Sequence, residues 1–131
     1  MKNLSSSKCA LTNVKRGQRM TISVISSCWS IGTITLKDDN KTYSIIDNDE
    51  ATNKHQLLGI DSKKYTGGKN LRVEIEMESS NFDINIKQTV TNTNMVNSTG
   101  KIIGNIYTIA IEDLSDNEFN DFVITVLITN K

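Results

Sequence analysis

An all-β fold, an antiparallel β-sandwich of eight to nine short strands with Greek-key connections, is what this sequence predicts, and three observations carry the prediction. Apolar and polar residues alternate with period two in several separate runs. The runs recur at roughly ten-residue spacing with Gly, Asn, Asp or Ser between them. No segment carries the 3.6-residue periodicity of a helix.

Taken in order, residues 1–8 show no alternation and read as a disordered N-terminal extension. Met20 to Ser26, Ile31 to Lys37, Thr42 to Ile46 and Gln56 to Ile60 are short, rich in β-branched residues and bounded by turn residues, as strands are. Leu71, Val73, Ile75 and Met77 alternate with Arg72, Glu74, Glu76 and Glu78, the pattern of a half-buried strand. Phe82, Ile84 and Ile86 alternate with Asp83, Asn85 and Lys87, and Ser79-Ser80-Asn81 between the two runs suits a hairpin. Gln88 to Lys101, with Asn92, Asn94, Asn97, Ser98 and Gly100, reads as a long loop or a weak edge strand. Its Asn97-Ser98-Thr99 triplet matches a glycosylation acceptor, a weak signal without a secretory context. Asn105 to Ile111 and Phe122 to Thr129 form the last two strands. In the final one Phe122, Ile124, Val126 and Ile128 can fill a core while Val123 and Leu127 face the other way, so both faces are apolar, as in a covered strand or a subunit contact.

The 131 residues fit one domain, spanning 1–131. Fifteen basic and fifteen acidic residues cancel, so net charge draws in neither nucleic acid nor an anionic surface, and Lys15-Arg16 with Arg19 is too short a basic run to change that. No apolar stretch approaches the ~18 residues that cross a bilayer, and Met1 to Ser7 has no secretion-signal core; the expectation is no membrane insertion and a cytoplasmic protein or one exported by a non-classical route. Cys9 and Cys28 are too few for a paired zinc site; they read as inert thiols or as one disulfide. His55 and Cys28 lack an orienting third group.

The densest chemistry lies at Glu112-Asp113-Leu114-Ser115-Asp116-Asn117-Glu118-Phe119-Asn120-Asp121, with five carboxylates and two side-chain amides. Such oxygens repel one another unless a hard cation draws them in, and calcium takes six to eight of them. An exposed polar turn is the plainer alternative. Read as an EF-hand the stretch fails, because Asp121 stands where glycine is required and Leu127 where the bidentate glutamate belongs. The earlier cluster Asp47-Asn48-Asp49-Glu50 fails the same test and reads as a solvated turn.

The pattern Glu-Asp-x-x-Asp-Asn-acid-aromatic-Asn-Asp followed by a ten-residue terminal segment resembles the calcium loop of the fucose- and mannose-binding bacterial lectins typified by the second Pseudomonas aeruginosa lectin. Here it is Glu112 to Asp121, then Phe122 to Lys131. The resemblance implies a small antiparallel sandwich forming homodimers or homotetramers, with one or two calcium ions (Ca2+) per subunit whose coordination is completed by sugar hydroxyls. It implies that Glu112 and Asp116 ligate one ion, that Asp121 and Glu118 bridge both, and that Asn120 binds the second. It further implies that the terminal carboxylate of Lys131 reaches a neighbouring subunit's ion and that Asp113 accepts a hydrogen bond from the sugar. The family has aspartate where this chain has Glu118. It also has an asparagine where this chain has Ser26-Ser27-Cys28-Trp29.

The expected function is therefore a non-enzymatic, calcium-dependent lectin for fucose- or mannose-type glycans, with Asp113, Asp116, Ser26 and Ser27 orienting the sugar. Trp29 either fills the core or lies against the sugar ring. A calcium-stabilised assembly module without sugar binding is the alternative. A hydrolase pairing Glu112 with Asp116 or Glu118 is a third class, disfavoured because nothing in the sequence keeps one carboxyl protonated near neutrality.

Overall fold

The computed structural model describes residues 3–28, 31–48, 52–79, 84–112 and 121–130. Among these lie nine strands: β1 (Asn3–Ala10), β2 (Arg19–Cys28), β3 (Ile31–Lys37), β4 (Thr42–Asn48), β5 (Thr52–Lys64), β6 (Arg72–Ser79), β7 (Lys87–Val96), β8 (Ile102–Glu112) and β9 (Phe122–Thr129). They form a four-stranded sheet of order β1-β6-β3-β4 and a five-stranded sheet of order β5-β2-β9-β8-β7. Every pairing is antiparallel. The result is the all-β sandwich that alternation predicts, and none of the described residues forms a helix long and apolar enough to cross a membrane.

The core fills the space between the sheets. From the five-stranded side come Met20, Ile22 and Val24 of β2, Tyr107, Ile109 and Ile111 of β8, and Phe122, Ile124, Val126 and Ile128 of β9; from the other side come Ile34, Leu36, Val73, Ile75 and Met77. Strand β9 buries every second residue, as its sequence requires, and sits third of five in its sheet, between β2 and β8.

Two segments differ from expectation, and a third resolves an open alternative. The alternation of 82–86 does not make a hairpin with β6. Strand β6 is held by β1 and β3, Ile84 and Ile86 pack on the core without strand pairing, and β7 begins at Lys87 in the opposite sheet, so the described part of this run, 84–86, leads into the other layer; Phe82 and Asp83 lie outside the described residues. Residues 3–8, part of the segment 1–8 read as a disordered extension, lie with Cys9 and Ala10 in β1. Its inward positions are small, with Ser5, Ser7 and Cys9 opposite Met77, Ile75 and Val73, so no apolar alternation announces it; it is held by pairing with β6 and by Ser7 Oγ donating to Gln88 Oε1 at 2.6 Å. Burial raises the Cys9 thiol pKa, which keeps it unreactive. Residues 87–96 form a true edge strand, held to the fold mainly through β8.

At the end of the sandwich where β3 turns into β4, a carboxylate lock joins two loops. Asp38, 1% exposed, accepts from Tyr43 Oη at 2.5 Å and from the backbone N–H of Asn40 and Lys41 at 2.7 and 2.9 Å. The Tyr43 hydroxyl also lies 2.9 Å from Thr66 Oγ1, and Tyr65 Oη donates to the Gly68 carbonyl. Any side chain at Gly68 would strike the Asp38 carboxyl. Burial pushes the Asp38 carboxyl up, but hydrogen bonds from Tyr43 and the backbone of Asn40, Lys41 and Gly68 outweigh it and hold the group below the usual carboxylate range. Hydrogen bonds from Lys63 and Ser44 lower Asp61, and Arg72 lowers Glu74. These groups release protons more readily folded than unfolded, so the stability they contribute is complete above the unfolded carboxylate range of about 4. It is lost as pH falls through their lower folded values. In chelator, Tm is expected to hold level from pH 7 to about 5 and to fall below it; a Tm that rises toward pH 3 would contradict this.

Candidate functional site

The opposite end of the sandwich gathers the last residues of β2, β4 and β8 and the first of β9. Phe122 pairs with Ser26 on one side and with Ile111 on the other, and the Asp121 N–H donates to the Ile111 carbonyl at 3.0 Å. Glu112 thus follows the last β8 residue paired with β9, and Asp121 precedes the first residue of β9. Both are buried, Glu112 with no exposure and Asp121 with 9%.

Beneath them, Phe122 plugs the end of the core and explains a glycine. Gly32 of β3 pairs with Asn48, and a Cβ there would lie 3.4 Å from the Phe122 ring and 2.7 Å from the Glu76 carbonyl, so only glycine admits this packing. Asn48, 3% exposed, donates from Nδ2 to Ser26 Oγ at 3.4 Å, and its Oδ1 receives Gln56 Nε2 at 3.5 Å. Asp47 points the other way, exposed, and accepts from Thr33 Oγ1 at 2.8 Å. A groove of about 310 Å³ opens beside this end on the outer face of the four-stranded sheet, between Leu4, Thr33, Asp47, Asn48 and Glu78.

Of the residues the sequence singled out, Glu112, Asp121 and Ser26 therefore converge. Ser26 has no exposure and its hydroxyl is engaged by Asn48, so it lies under the site as a support, out of reach of a sugar. The backbone of Ser27 continues β2. Asp113, Asp116, Glu118, Asn120, Lys131 and Trp29 lie outside the described residues, and among the described ones no three acidic, His or Cys side chains form a metal-holding group. Asn48 is the participant that sequence reading passed over. The stretch 47–50 read as a solvated turn, yet Ser44, Ile46 and Asn48 share the inward face of β4, a period-two signal that extending the strand by two residues would have exposed.

Among the described side chains this end offers the two buried carboxylates of Glu112 and Asp121, backed by the Asn48 amide and the Ser26 hydroxyl, which bond to each other. Removing carboxylates from water is costly without compensating charge or hydrogen bonds. A hard cation with oxygen ligands fits such a set, while zinc or copper, which favour nitrogen and sulfur, do not.

No protein-family model matches this sequence, and no curated protein matches it. Solved structures do. The C-terminal domain of the BC2L-C lectin from Burkholderia cenocepacia superposes with a TM-score of 0.64 over 97% of both chains, at 16% identity. The Chromobacterium violaceum lectin CV2L, solved in complex with alpha-methyl-fucoside, matches with a TM-score of 0.54 at 12% identity, over 87% of this chain and 96% of its own. A high-affinity mannose-binding lectin of Ralstonia solanacearum matches with a TM-score of 0.54 at 16% identity over the same shares. The chain has the sandwich fold of these bacterial lectins.

Proposed function

We propose that this chain is a non-enzymatic carbohydrate-binding protein in which calcium, held at the Glu112–Asp121 end of the sandwich, binds the hydroxyls of a fucose- or mannose-type sugar. The observation that carries the reading is the convergence of the buried carboxylates Glu112 and Asp121 at adjacent strand ends, in a fold shared with lectins described as binding fucoside or mannose. Glu112 and Asp121 would hold the cation together with Asp116, Glu118 and Asn120, one or two ions being accommodated. Asp113 would take the sugar. Calcium supplies the charge that offsets carboxylate repulsion and exchanges its water for vicinal hydroxyls. Asn48, fixed by Ser26 and Gln56, supports this end from β4 and brings an amide to a segment of β2 that carries no asparagine of its own.

The chain would act as a homodimer or homotetramer. The outer face of the five-stranded sheet supports this: three successive cross-strand rows, Leu57-Ile25-Val123-Ala110-Thr89, Ile60-Ser23-Thr125-Thr108-Thr91 and Ser62-Thr21-Leu127-Ile106-Thr93, contain no charged residue. Leu57 and Ile60 are 58% and 63% exposed there. An uncharged sheet face of this extent, built from aliphatic residues and Ser or Thr, suits burial against a second copy. Several sugar sites per assembly would raise avidity for glycan-covered surfaces.

A monosaccharide and glycan-array screen in millimolar calcium, repeated in excess chelator, tests the reading. Binding to fucose- or mannose-bearing glycans is expected in calcium and is expected to disappear in chelator. Binding that persists in chelator would refute the calcium part, and no binding in either condition would refute the lectin reading.

A further inference from the structure

The charges that cancel in sum are separated in space. At the end of the sandwich away from Glu112 and Asp121, six exposed cations stand on four different connections or strand ends: Lys15 and Arg16 between β1 and β2, Lys41 between β3 and β4, Lys64 and Lys69 at and after the end of β5, and Lys101 between β7 and β8. Among the described residues none of the six has a carboxylate partner; the ion pairs there join Lys63 to Asp61 and Arg72 to Asp39 and Glu74, and Asp38 is occupied by Tyr43. Among the described side chains carboxylates prevail at the other end, with Asp47, Glu76, Glu78, Glu112 and Asp121 against Lys87. A chain of zero formal charge is thus a dipole along its strands.

We infer that the cationic end docks on the anionic headgroups of a lipid bilayer, with the carboxylate end facing away. Five of the six cations are lysines, compact hydrated charges without the planar fork that suits paired recognition, and they are spread over four connections of the cap, with only Lys69 of the six lining the groove that opens there. That distribution matches a planar field of headgroup charge, to which each cation adds attraction. Tyr43, Tyr65 and Tyr107 are all buried, so among the described residues this end has no exposed aromatic on which a nucleic acid base could stack. A second copy's acidic end is a poorer partner, because Glu112 and Asp121 are buried there and a head-to-tail contact does not close. Repulsion of the carboxylate end fixes the orientation, and strands of eight residues set that end about 25 Å from the surface.

Sedimentation with vesicles, in chelator so that calcium cannot bridge carboxylates to lipid, tests the inference independently of sugar binding. The chain is expected to sediment with phosphatidylcholine vesicles containing phosphatidylglycerol, not with phosphatidylcholine alone, and to be released as salt shortens the range of attraction. The triple variant Lys15→Glu, Arg16→Glu, Lys69→Glu is expected to bind at least about tenfold more weakly. Glu76→Gln, at the other end, should bind like the parent. Equal binding to both vesicle types, no binding to the mixed vesicles at low salt, or capture by soluble heparin without vesicle binding would each overturn it.

Discussion

Asp121→Ala is expected to abolish calcium binding, and with it all sugar binding, while leaving the sandwich intact. Asp121 sits where β9 begins, its backbone N–H tied to the Ile111 carbonyl, and that hydrogen bond survives the substitution. Only the carboxylate is lost. Removing a group that merely supports a metal ligand typically costs about 10- to 100-fold in affinity, and removing a ligand itself costs more. In chelator the variant should keep its far-UV circular dichroism, since the backbone pairing of β8 and β9 does not need the carboxylate. Isothermal calorimetry with calcium reads the first effect, and circular dichroism in chelator reads the second. A variant that takes up calcium like the parent would show that the cation, if one binds, sits elsewhere.

Asp38→Ala is expected to do the reverse, weakening the fold while leaving ligand binding unchanged. The carboxylate satisfies the Tyr43 hydroxyl and the backbone donors of Asn40 and Lys41 in a site 1% exposed, so its loss strands several buried donors at once. Unsatisfied buried donors cost about 1–3 kcal/mol each before water re-enters; a net loss of about 3 kcal/mol is expected. For a domain of this size that is on the order of 10 °C in Tm. Asp38→Asn, which keeps one acceptor oxygen, should lose less. Because the lock lies at the far end of the strands, calcium and sugar titrations below the new Tm should match the parent. A variant as stable as the parent would mean that water replaces the carboxylate without penalty.

The contrast between the two ends also explains what the sequence made legible. Strand β9 is readable because its inward residues are all large and apolar, and Ile31–Lys37 matches β3 to the residue for the same reason of clean alternation with turn residues on either side. Strand β1 is hidden because serine fills two of its inward positions and its pairing partner lies about seventy residues away. The run through Ile84 and Ile86 misleads in the opposite way: its alternation is real, but the chain spends it crossing between sheets, and periodicity carries no information about which layer a residue joins. The acidic stretch at 112–121 stands out because its oxygens are consecutive in sequence. Asn48 and Ser26 meet only through the packing of one sheet on the other, which no local pattern encodes. Charge segregation is hidden for the same reason, since a sum of zero does not depend on where the charges stand.

On the proposed function, one end of the sandwich holds calcium and the calcium holds the sugar. A crystal structure grown with calcium and methyl mannoside or methyl fucoside tests it most directly. A cation is expected within the usual range of about 2.3–2.6 Å of Glu112 and Asp121 oxygens, with two sugar hydroxyls completing its shell. A sugar bound away from this end, or a sugar bound here with no cation between it and the carboxylates, would contradict it.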